Sequence, residues 1–153
     1  MSKEKIIIYT DGGARGNPGP AGAGAVLTDA SGKVIREAHK ALGNQTNNYA
    51  EYQAVILGLE TAKRVIGKDK LSTCEVEIRM DSELVARQLS GEYQIKEETL
   101  FPFFIKIWNM QVAGEVPKLK FVHIPREKNK EADRMSNKAM DESEGKGETD
   151  KLF

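Results

Sequence analysis

The spacing of apolar residues divides the chain into five strand-like and four helix-like stretches. Ile6-Ile-Ile-Tyr9 is an unbroken apolar run that ends in Thr10-Asp11-Gly12-Gly13. Such a run predicts a strand buried on both faces, central in its sheet. The segment from Gly12 to Gly24 is dense in glycine and proline and reads as loop and turn. Ala25–Leu27 and Lys33–Ala38 flank Asp29-Ala-Ser-Gly32, a hairpin signal, so the first forty residues read as a three-strand meander. From Asn47 the period lengthens: at about 100° per residue Ala54, Val55, Gly58, Ala62 and Val65 fall on one face, as an amphipathic helix requires. Thr46 or Asn47 can cap that helix and Gly67 can end it. Cys74–Met80 alternates with period two and predicts a fourth strand, and Leu119–Ile124 a fifth. Helices are expected over Ser82–Leu89, over Glu97–Val112 with Pro102 near the start, and over Asn129–Met140. A meander followed by alternating helix and strand argues an α/β fold: a five-stranded mixed sheet, three antiparallel strands plus two parallel ones, flanked by helices.

Composition narrows the class. A chain of 153 residues, 39% hydrophobic with 14 glycines, is one domain's worth. Such a chain buries about 70% of the surface it exposes when unfolded, so it needs no staple. The one cysteine, Cys74, excludes an internal disulfide and a cysteine-built zinc site. No apolar run approaches the roughly 18–20 residues that span a bilayer. The opening Met1-Ser-Lys-Glu-Lys does not read as a signal peptide, so a cytoplasmic protein without membrane attachment is expected. Lysine and arginine total 23, as do aspartate and glutamate, whereas a protein devoted to unspecific phosphate binding carries a basic excess. Residues 118–138 are nevertheless locally basic, with Lys118, Lys120, Arg126, Lys128, Lys130, Arg134 and Lys138. The organisation expected is one unit over residues 1–140 and an acidic, flexible tail over 141–153.

Four acids stand out against this background. Glu51 lies at the centre of the apolar face of the first helix, one turn before Val55, where an unpaired charge is costly to bury. Asp11 ends the central strand, Asp81 ends the fourth, and Asp133 borders the apolar face of the last helix beside Ala132, Ser136 and Ala139. Each has a plain structural explanation: a turn former for Asp11, an N-cap for Asp81, a solvated first-turn acid for Asp133, a dipole or arginine partner for Glu51. Adjacent strand ends share one edge of a sheet, however, and a helix packed on the sheet can face that edge. If the four meet, they cannot all remain ionised without cations between them. Oxygen ligands without cysteine or histidine select hard ions such as Mg²⁺ or Mn²⁺. Two such ions roughly 4 Å apart are a recurrent device for displacement at phosphorus.

Four segments then carry a resemblance. Asp11-Gly-Gly-Ala-Arg-Gly-Asn-Pro-Gly-Pro-Ala-Gly-Ala-Gly, Thr46-Asn-Asn-Tyr-Ala-Glu51-Tyr-Gln-Ala, Met80-Asp81-Ser82 and His123-Ile-Pro-Arg-Glu-Lys-Asn129-Lys-Glu-Ala-Asp133 resemble type 1 ribonuclease H. The likeness is collinear over about residues 4–140, with the acids in the family's order. It implies endonucleolytic cleavage of the RNA strand of an RNA–DNA hybrid, leaving 5′-phosphate and 3′-hydroxyl ends, in RNA primer and R-loop removal. It implies that Asp11, Glu51, Asp81 and Asp133 hold two Mg²⁺ ions, one activating water and the other stabilising the leaving oxygen, with Mn²⁺ a plausible substitute. Asn17, Asn47 and Asn48 match minor-groove contacts to the hybrid and Thr46 a contact to a DNA phosphate. Gly12, Gly13 and Ser82, in the same motifs, are further substrate-binding candidates. His123, ten residues before Asp133, matches a histidine that aids product release or moves a proton. Its alternation with Leu119 and Phe121 equally suits a half-buried structural histidine. His39, between Glu37 and Lys40, reads as exposed.

The glycine-rich segment fits neither G-x-G-x-x-G before a helix nor G-x-x-x-x-G-K-[ST], which argues against a mononucleotide loop. Some relatives carry a basic, tryptophan-bearing loop after the second helix; here Gly91-Glu-Tyr-Gln-Ile-Lys-Glu-Glu98 holds no such cluster. Others carry an amino-terminal hybrid-binding module, and this chain enters its first strand within five residues. The hybrid is therefore expected to be held by the metals, the groove amides and the 118–138 stretch, by a monomer. Alternatives are another nuclease on this fold, an inactive hybrid-binding module, or an α/β domain whose acids are caps.

Overall fold

The computed structural model describes residues 4–145. Its elements are β1 (Lys5–Ala14), β2 (Gly19–Asp29), β3 (Val34–Gln45), α1 (Asn47–Ile66), α2 (Lys68–Leu71), β4 (Glu75–Met80), α3 (Glu83–Leu89), α4 (Phe101–Val112), β5 (Leu119–His123) and α5 (Lys130–Ser143). The strands form one sheet in the order β3-β2-β1-β4-β5. β1 and β3 run antiparallel to β2, while β4 runs parallel to β1 and to β5. The five-stranded mixed sheet is therefore as expected, with the Ile6–Ile8 run at its centre.

The alternation of side chains along β1 and β2 sorts the two layers of helices. Ile6, Ile8, Ala25 and Leu27 pack with Tyr52, Val55 and Leu59 of α1, and with Leu89, Ile107 and Met110 of α3 and α4, in the main core. The neighbouring positions, Tyr9 and Val26, pack instead with Ala132 and Met135 of α5. One face thus carries α1 and the other α5, as period-two alternation dictates. Burying a side chain such as Leu59 or Val55, both fully enclosed, is worth roughly 1.5–3 kcal/mol each. These apolar faces fix α1 and α5 against the same strands, and with them the acids they carry.

The glycine-rich segment corrects the sequence reading. Gly12–Ala14 belong to β1 and Gly19–Gly24 to β2, so only Arg15–Pro18 connect the strands. These glycines mark close backbone approach, as strand glycines often do. A Cβ on Gly24 would lie 2.5 Å from Ser136 N, one on Gly22 2.6 Å from Met140 N, both in α5, and one on Gly12 2.2 Å from Ala50 O in α1. The expected hairpin at Asp29–Gly32 is present: Asp29 Oδ1 accepts from Ser31 N and Lys33 N, and Gly32 has φ 92°. β3 runs on to Gln45, well beyond the expected Ala38, as a largely exposed edge strand.

α1 starts and stops as expected: Thr46 Oγ1 accepts from Tyr49 N, and Gly67 follows with φ 93°. α5 runs to Ser143, past the predicted end at Met140. Asp141, placed by the sequence at the start of a flexible tail, is helical and is paired with Arg15; residues 146–153 of that tail lie outside the described residues. No helix among the described residues is long and apolar enough to cross a membrane.

Candidate active site

The parallel pairing of β1 with β4 ends at Thr10–Met80, so the next residue on each strand, Asp11 and Asp81, emerges at the same edge of the sheet. Asp11 follows the parity of Tyr9 and faces α5; Gly12 faces α1. Because Gly12 lacks a side chain, the first turns of α1 lie directly on β1, and Glu51 Oε1 accepts from Gly12 N at 3.3 Å. One carboxylate oxygen from each of Asp11, Glu51 and Asp81 lies within 4.8 Å of the others. Asp133, in the first turn of α5, lines the same cleft of about 400 Å³, as do Gly12, Gly13, Asn47, Asn48 and Ser82. Four elements, β1 and β4 at the edge of the sheet and α1 and α5 on its two faces, thus converge on one opening.

The electrostatics of this group follow from burial. Asp11 is 7% exposed and Glu51 8%. Burial, reinforced by the charges of Asp81 and Asp133, pushes Asp11 up to about 7, against a hydrogen bond from Ser136 and the nearby Arg126, which lower it. Burial, with the charges of Asp11 and Asp81, holds Glu51 well above the usual carboxylate range, against a hydrogen bond from Gly12 N and Arg126. The dominant cause in both is desolvation, and repulsion adds to it. Glu51 Oε2 is buried and has no hydrogen-bond partner. An all-oxygen set with an orphaned, buried carboxylate oxygen fits a hard divalent cation, which would supply the missing partner and offset the repulsion.

Two supporting side chains went unread in the sequence. Ser136 Oγ donates to Asp11 Oδ2 at 2.5 Å and lies 2.9 Å from Asp133 O. Asn129, 1% exposed, donates through Nδ2 to Thr10 O at 2.9 Å and to Asp81 Oδ2 at 3.3 Å. Together they fix the orientation of two of the acids from α5 and the residue before it. Ser136 was legible only as a small residue on the buried stripe of α5; its spacing of three from Asp133 was the available signal. Asn129 looked like a helix start. Arg15 was also missed: its guanidinium pairs with Asp141 at 2.6 Å and Glu144 at 3.1 Å and bonds Asn137 Oδ1 at 3.2 Å, tying α5 to the β1–β2 connection.

The remaining candidates divide. Ser82, not Asp81, caps α3, its Oγ accepting from Val85 N, so the cap explanation for Asp81 fails. Asn17 and Thr46 do not line the cleft; Asn17 Oδ1 accepts from Asn47 N at 3.0 Å, and Thr46 caps α1. Asn47 Oδ1 in turn accepts from Ala14 N at 2.8 Å, so Asn17 and Asn47 join the loop to the start of α1. His123 is exposed at the end of β5, opposite Met80 in register, so it is not the half-buried strand histidine that its alternation suggested. His39 lies 2.8 Å from Glu142 and is not simply exposed. The basic stretch does not form one patch: Arg126 lines the acidic cleft, Lys118 and Lys120 lie beside Lys5 and Glu77, and Arg134 pairs with Glu37 and Glu131.

Residues 9–139 match the reverse transcriptase-like family. The chain is 30% identical over 155 residues to ribonuclease H of Pseudomonas syringae pv. syringae, covering 93% of this chain and 96% of that protein. It is 40% identical over 138 residues to a bifunctional protein of Mycobacterium tuberculosis, covering 90% of this chain but 36% of that one. The chain thus spans about a third of the length of the curated relatives it matches at this identity. Among solved structures it is similar to LC11-RNase H1, isolated from compost by a metagenomic approach, with 54% identity, TM-score 0.84 and coverage of 91% of this chain and 97% of that one. The same protein in complex with an RNA/DNA hybrid gives 53% identity, TM-score 0.85 and coverage of 90% and 98%. With the fold, the order of the acids and the matched span in agreement, the chain belongs to the ribonuclease H family.

Proposed function

We propose that this protein is an endoribonuclease that hydrolyses the RNA strand of RNA–DNA hybrids. The observation that carries the reading is the meeting of Asp11, Glu51 and Asp81 within 4.8 Å, with Asp133 on the same cleft and Glu51 Oε2 buried without a partner. The hybrid-bound structure of a relative 53% identical supports the choice of substrate. Asp11, Glu51, Asp81 and Asp133 would hold two Mg²⁺, with Mn²⁺ a plausible substitute. Bound there, the ions supply an activated water and charge stabilisation at the leaving oxygen.

The chain's own residues do the rest. Ser136 and Asn129 hold Asp11 and Asp81 in fixed rotamers, so little reorganisation is needed when charge develops. Asn47 and Asn48 with the backbone of Gly12 and Gly13 line the approach to the acids and suit a groove read by shape and 2′-hydroxyls. Asn17 keeps Asn47 in place, and Thr46, its oxygen engaged as a cap, retains a hydroxyl proton to donate to a DNA phosphate. Ser82 joins the cleft wall, and His123, exposed and opposite Met80 in the β4–β5 register, would serve product release. We read the protein as acting as a monomer. A buried lone thiol at Cys74 suits the cytoplasm, where RNA primers and R-loops are removed. The catalytic unit comprises residues 1–140 together with the last turn of α5.

Incubation of an end-labelled hybrid with Mg²⁺ tests this reading through its products. Internal cuts leaving 5′-phosphate and 3′-hydroxyl ends, abolished by EDTA, are expected. Cleavage that persists in EDTA, or 2′,3′-cyclic phosphate ends, would contradict it.

A further inference from the structure

The segment between α3 and α4 lacks the basic cluster seen in some relatives, yet it is tied closely to the acidic cleft. Gln88 of α3, 6% exposed, accepts from the Tyr52 hydroxyl at 2.6 Å and donates to Gln94 O at 3.3 Å. Tyr52 is fully buried and follows Glu51 on α1, so the segment is anchored to the helix that carries one of the acids. Further along the same segment, Glu97 Oε1 accepts from Asn48 Nδ2 at 3.2 Å. Asn48 lines both the acidic cleft and a second cavity, of about 530 Å³, bounded by Leu84, Tyr93, Glu97 and Leu100.

A primary amide carries a donor end and an acceptor end that a half-turn exchanges, so an unrestrained asparagine reads no particular partner. A carboxylate can only accept, and it therefore fixes Nδ2 toward itself and leaves Oδ1 for the cleft. An acceptor at that place answers a hydroxyl donor. In an A-like groove the 2′-hydroxyls supply such donors, and deoxyribose has none. We infer that Glu97 is a positioning residue that confers ribose preference by locking the orientation of the Asn48 amide. This rests on the hybrid-cleaving reading above. The alternative role for an acid beside a polyanion site is simple repulsion, and it predicts the opposite sign when the acid is removed.

Steady-state cleavage of a hybrid by Glu97→Ala, Glu97→Gln, Asn48→Ala and the Asn48→Ala/Glu97→Ala double variant separates the two. Loss of one oriented hydrogen bond predicts a KM about five- to tenfold higher in Glu97→Ala, with kcat and the Mg²⁺ dependence unchanged. Glu97→Gln can donate as well as accept, so it no longer fixes the Asn48 amide and should also raise the KM, whereas loss of a repelling charge alone would lower it. The double variant should be no worse than Asn48→Ala alone. A KM that is unchanged or lower in Glu97→Ala or in Glu97→Gln, or additive losses in the double variant, would overturn the inference while leaving the functional reading intact. Failure of the wild-type protein to cut the hybrid would overturn both.

Discussion

Replacing Glu51 by glutamine is expected to lower hybrid cleavage by roughly a hundred- to a thousandfold while raising the thermal stability of the metal-free protein. The two effects have one cause. Glu51 is a carboxylate in a nearly closed site with one oxygen bonded to Gly12 N and the other unpartnered. As an amide it retains Oε1 for Gly12 and points an N–H₂ at Asp11 and Asp81, satisfying the metal-free cluster while removing a charge that a cation requires. Losses of this size follow when a preorganised electrostatic group is deleted from a site where charge develops. The pH dependence gives the sign. Glu51 holds its proton in the folded state well above the ordinary carboxylate range, so the folded protein binds more protons than the unfolded one above about pH 4. Its contribution to stability is present in acid and is lost as pH rises through the folded value; Asp11 behaves alike up to about 7. In EDTA, the melting temperature of Glu51→Gln should exceed that of the wild type by a margin that widens from pH 4 toward neutrality. Equal melting curves at all pH values would show that the site is not strained by its charge.

Adding one methyl group at Gly12 is expected to damage both stability and activity. A Cβ there would lie 2.2 Å from Ala50 O, 2.3 Å from Ala50 C and 2.5 Å from Glu51 N, all backbone atoms of α1 that no rotamer change can move aside. Relief requires α1 to lift from β1. That costs about 1–3 kcal/mol or more by the measure of overpacked cores, a large part of a typical 5–15 kcal/mol stability. The lift also carries Glu51 away from Asp11, and a misplacement of about 1 Å can cost a hundredfold in rate. Gly32→Ala is the control: its Cβ would meet nothing within 4 Å and only its φ of 92° is unfavourable, at about 1–2 kcal/mol. Urea unfolding with activity measured in parallel should show Gly12→Ala less stable than Gly32→Ala and nearly inactive, with Gly32→Ala active. Comparable activity in the two would mean that the α1–β1 approach is not what places Glu51.

Much of this was readable from periodicity because the elements concerned bury one face each. The Ile6–Tyr9 run, the α1 stripe through Val55 and Ala62, and the alternation of Cys74–Met80 report burial directly, and Glu51 was conspicuous because it interrupts such a stripe. The glycine-rich strands were misread for a physical reason: glycine in a turn supplies conformational freedom, whereas glycine in β1 and β2 supplies the absence of a Cβ where α1 and α5 press on the sheet, and composition does not separate the two. β3 was cut short because an edge strand with exposed charges lacks the alternation that marks a half-buried one. Ser136 and Asn129 were invisible as supports of the acids because their partners, Asp11 and Asp81, are 125 and 48 residues away. The dispersal of the 118–138 basic residues has a similar origin. That stretch crosses a strand, a turn and a helix, so its side chains leave in different directions.

On the proposed reading, the acids of one cleft act through divalent ions to cut RNA paired with DNA. Cleavage of matched RNA–DNA, RNA–RNA and DNA–DNA duplexes in Mg²⁺, by the wild type and by a folded Asp81→Asn variant, tests it most directly. The expected result is cleavage of the RNA strand of the hybrid by the wild type, little or none of the other two duplexes, and loss of that activity in Asp81→Asn. Hybrid cleavage undiminished in Asp81→Asn, or a wild type that leaves the hybrid intact, would contradict it.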